Sequence, residues 1–113
     1  MRRQIIETTA HEVATQVRAV EDAIETALAE IAELQGRMIR ARAAAGIATA
    51  TGHEAFEQMA KALQALVTAR GGMADCHGTL RATQQFVPGL RTVSFGAEEC
   101  PPVAGRADLR VVA

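Results

Sequence analysis

The sequence predicts an all-α protein: a long antiparallel helical hairpin of coiled-coil character, dimerising into a four-helix bundle and followed by a C-terminal extended arm. Three observations predict it. An apolar ladder with heptad spacing runs through the first half, a break with a helix-start signal follows it, and the composition is rich in alanine with no Trp or Tyr and three Phe. Alanine favours helix but buries little area, so the core is expected to be thin and the helices close together.

In the first half, Ile6, Ala10, Val13, Val17, Val20, Ile24, Ala27, Ile31, Leu34, Met38, Ala41 and Ala45 are spaced 4-3-4-3 without interruption. Spacing of this kind sustained over several heptads reads as a coiled-coil seam. A helix over about 4–46 would span roughly 60 Å at about 1.5 Å per residue. Its charges pass from acidic (Glu12, Glu21, Asp22, Glu25, Glu30, Glu33) to basic (Arg37, Arg40, Arg42), which suits the helix macrodipole.

The stretch from Gly46 to Gly52 breaks the ladder, leaving a connection over about 47–51. Thr51 and Glu54 stand in the capping-box relation, so a second helix is expected over about 52–87, stopped by Pro88-Gly89. Its heptad positions are Phe56, Met59, Leu63, Leu66, Arg70, Met73, His77, Leu80, Gln84 and Val87. Gly71, Gly72 and Gly78 fall off that seam, so one continuous helix and a break near Gly71-Gly72 both remain open. The stripe Gly71, Ala74, Gly78 and Ala82 suggests close backbone packing against the first helix or a symmetry mate.

Two helices cover only one stripe of each other, and Leu28, Ile39 and Val67 are expected to stay exposed in a lone hairpin. Pairing of two hairpins is the expected remedy. Residues 1–87 then form the hairpin and 88–113 the arm. Leu90-Arg91-Thr92-Val93-Ser94-Phe95 and Leu109-Arg110-Val111-Val112 alternate with period two, as short strands or an extended arm would.

Several function classes are disfavoured. A net charge of −1 does not suit general nucleic-acid binding, which requires a surplus of basic residues. Eleven Arg against one Lys, with abundant Ala, fits a GC-rich bacterial coding sequence. No run reaches the length of a membrane span, and Gln4-Ile5-Ile6-Glu7-Thr8-Thr9 supplies no signal-peptide core. A cytoplasmic protein with Cys76 and Cys100 as free thiols is expected. Asp75-Cys76-His77 does not make a nucleophilic dyad, because adjacent helix residues point about 100° apart. Cys76 is expected to be a buried or half-buried inert thiol. Neither the cysteines nor His11, His53 and His77 carry metal-ligand spacing. No catalytic residue, cofactor or metal is expected.

The polar seam layer is the one candidate site. Arg70, His77 and Gln84 occupy successive equivalent heptad positions. Counting back through the hairpin places His77 near Glu21, and Arg70 near Leu28 and Glu30. A buried Arg is costly unless paired, so an acidic neighbour is expected if it faces inward. Three readings stand: partner and register specification, a solvated edge, or a ligand site. The expected function is that of a non-enzymatic scaffold or interaction protein whose partner is itself, with the arm available to another protein. The alternatives are a component of a larger phage or secretion particle, and a ligand-binding or catalytic bundle built on Arg70, His77 and Glu21.

Overall fold

The computed structural model describes residues 2–90. They form a helical hairpin of two helices, α1 (Arg2–Ala45) and α2 (His53–Gln84), with no strand among the described residues. Apart from Leu90, the segments expected as strands lie outside that range, as does Cys100. The described residues divide into two compact units, one comprising Thr15–Met73, the other residues 2–14 and 74–90.

Helix α1 begins two residues earlier than its periodicity predicts, while α2 stops three residues short of Val87. Pro88 has no amide to donate to the Gln84 carbonyl four residues back, and its ring crowds that carbonyl, so the helix cannot run on in register past Gln84. The chain therefore leaves α2 through tight turns, with the amides of Gln85, Phe86 and Val87 donating to the carbonyls of Ala82, Thr83 and Gln84. Gly71, Gly72 and Gly78 lie within one unbroken helix. A methyl group added at any of the three would meet no atom of the described residues within 4 Å, so these glycines do not serve close packing on α1.

Within the unit Thr15–Met73, α1 ends in a Schellman motif. Gly46 takes a φ of 63°, its amide donates to the Ala43 carbonyl, and the Ile47 amide donates to the Arg42 carbonyl. The start of α2 differs from the expected capping box. Gly52 turns the chain with a φ of 73° immediately before His53. Glu54 does not reach back to Thr51; its carboxylate accepts a hydrogen bond from Gln58 one turn onward. The loop carbonyls are held from α1 instead. The Arg42 guanidinium donates to the carbonyls of Thr51, Ala48 (2.6 Å) and Thr49 (3.0 Å), and stands over the Phe56 ring.

The seam of α1 is rotated from the expected one. Ile6, Ala10, Val17, Ile24, Ala27, Ile31 and Met38 are half-buried as the ladder predicts, but Val13, Val20, Leu34, Ala41 and Ala45 are exposed. Ala14, Glu21, Leu28 and Arg42 are half-buried in the adjoining positions, so Leu28 is covered where exposure was expected. The reason is geometric. Two 4-3 ladders share Ala10, Val17, Ile24, Ile31 and Met38, and they differ only in whether the companion residue lies three or four places on. The choice turns the contact face by about 50° on a helix of 3.6 residues per turn. Ile39 and Val67 are exposed, as expected.

In the other unit, the turn after α2 comes close to the start of α1. Gly89, with a φ of 89°, lies near the Arg3 side chain, and the Leu90 amide donates to the Val87 carbonyl. Leu90 is 6% exposed and is the one buried hydrophobic among the described residues. Neither helix contains a buried residue.

Candidate functional site

Equivalent heptad positions on α2 acquire three different environments. Arg70 sits on an exposed flank with its side chain 63% accessible, and its guanidinium pairs with the Glu25 carboxylate. The hydrogen bond to Glu25, followed by the charge attraction, raises the Arg70 pKa above its ordinary value. The acidic neighbour thus exists, but it is Glu25 rather than Glu30. A flank position explains this, because long side chains reaching round the edge of a seam meet a residue about one turn from the one directly opposite. Glu30 itself is exposed.

His77 is half-buried and its Nδ1 atom is sheltered from solvent. Glu21 is also half-buried, in the other compact unit. Gln84 is half-buried, and its side-chain amide donates to the Leu90 carbonyl at 2.7 Å. That bond ties the end of α2 to the turn that follows, a role no heptad count reveals. Within their own units, Arg70 closes a flank through Glu25 and Gln84 holds the carbonyl of the turn that follows its helix. Leu63 and Leu80, counted as seam residues from spacing, are exposed as well.

Arg42 is the residue that sequence reasoning undervalued. Its place in the last turn of α1 suggested only macrodipole complementarity, whereas the side chain closes the connection between the helices. Beside it lies an open cleft of ≈ 450 Å³ whose walls include Ile39, Ile47, His53 and Phe56. Two polar groups at this cleft already have partners in the protein. Arg42 is bonded to the loop carbonyls, and His53 Nε2 lies 3.3 Å from Glu57. The arrangement offers an apolar surface with no convergent set of groups for acid–base chemistry.

Cys76 is exposed, contrary to the expectation of a buried or half-buried thiol. No group of three His, Cys, Asp or Glu among the described residues is placed to hold a metal ion. No helix among them is long and apolar enough to cross a membrane. No family model, no curated protein and no solved structure matches this chain.

Proposed function

We propose that this protein is a non-enzymatic interaction or scaffold protein that acts as a homo-oligomer, its unit of assembly a pair of hairpins forming a four-helix bundle. One observation carries the reading. Neither helix holds a buried residue, while Val20, Leu34, Ile39, Leu63 and Val67 remain exposed within one unit. Fixing each backbone residue costs about 1–2 kcal/mol of conformational entropy, which half-covered alanine and valine side chains offset poorly. Association with a second hairpin buries the apolar surface that one hairpin leaves in water. Polar groups that face their own chain, as at Arg42 and Gln84, fit a role in architecture better than a role in turnover.

Sedimentation at tens of micromolar tests the proposal. The expected mass is about twice the 12.0 kDa of the chain. A stable monomer would overturn it.

A further inference from the structure

We draw no further inference here: the strongest candidate, the open apolar cleft that Ile39, Ile47 and Phe56 line beside the turn joining α1 to α2, belongs to the site already described, and nothing in the structure shows what covers it.

Discussion

The Arg42 guanidinium lies 5.4 Å from the centroid of the Phe56 ring while its nitrogens hold carbonyls of the loop between the two helices. One side chain from the end of α1 thereby fixes both the connection and the first turns of α2. Charge-assisted hydrogen bonds contribute about 1.5–3 kcal/mol, and a cation over an exposed ring about 0.5–1 kcal/mol. Arg42→Ala is expected to cost about 2 kcal/mol in urea unfolding. Arg42→Lys should recover only a minor part, because an ammonium group lacks the planar fork that reaches several carbonyls at once. A loss below about 0.5 kcal/mol, the ordinary surface range, would mean that the loop holds itself.

Gly71→Ala and Gly72→Ala should each stabilise the protein by about 1 kcal/mol, the helix-propensity difference. Nothing lies within 4 Å of the added methyl in either case. The corresponding rise in melting temperature is about 4–8 °C for a domain of this size. A fall would show that these glycines meet a second molecule in the assembled protein.

Gln84→Leu should destabilise by about 1 kcal/mol, since the Leu90 carbonyl loses the side-chain amide that donates to it. Chemical denaturation measures the difference. Arg70→Leu provides the contrast, because Arg70 lies on an exposed flank. It should leave stability nearly unchanged or slightly higher. Opposite rankings of the two variants would mean that the flank pair matters more than the helix exit.

The Arg70–Glu25 pair sets a pH and salt signature. A folded-state pKa above the unfolded value gives a contribution that is fully present below the unfolded pKa. It is lost only as pH rises through the higher folded value, beyond the ordinary arginine range. Titration of Arg70 should therefore produce no change in stability between pH 6 and about 10, whereas salt should screen the exposed pair. Thermal melts of the parent and Glu25→Gln at low salt and at about 1 M salt are expected to differ in the first condition and to converge in the second. A difference that persists in high salt would refute the assignment of the pair as solvent-screened.

Much of the architecture was legible because period and punctuation are local. The ladder from Ile6 to Met38 and the Gly46–Gly52 break locate both helices, and Pro88 marks where the second must end. Less legible was the face each helix presents. The ladder through Val13, Val20 and Leu34 is the more apolar of the two, since the other carries Glu21 and Arg42 beside Ala14 and Leu28, so apolar spacing pointed to a face that the helix leaves exposed. The site was read less well for a different reason. Arg70, His77 and Gln84 look equivalent in a heptad count, but side-chain length and nearby turns carry Arg70 to Glu25 and Gln84 to the Leu90 carbonyl. Arg42 was hidden because a basic residue near a helix end already has a sufficient local explanation.

The glycines of α2 also have a kinetic consequence. Helix backbone at Gly71, Gly72 and Gly78 has weak intrinsic propensity and no neighbour within 4 Å of where a side chain would stand, so little beyond the helix's own hydrogen bonds resists local fraying. Amide protons from Arg70 to Gly78 should exchange with deuterium sooner than those on either side. Protection along α2 would then fall into two blocks separated by a fast interior, an unusual profile for an uninterrupted helix, whose fastest amides ordinarily lie at its ends.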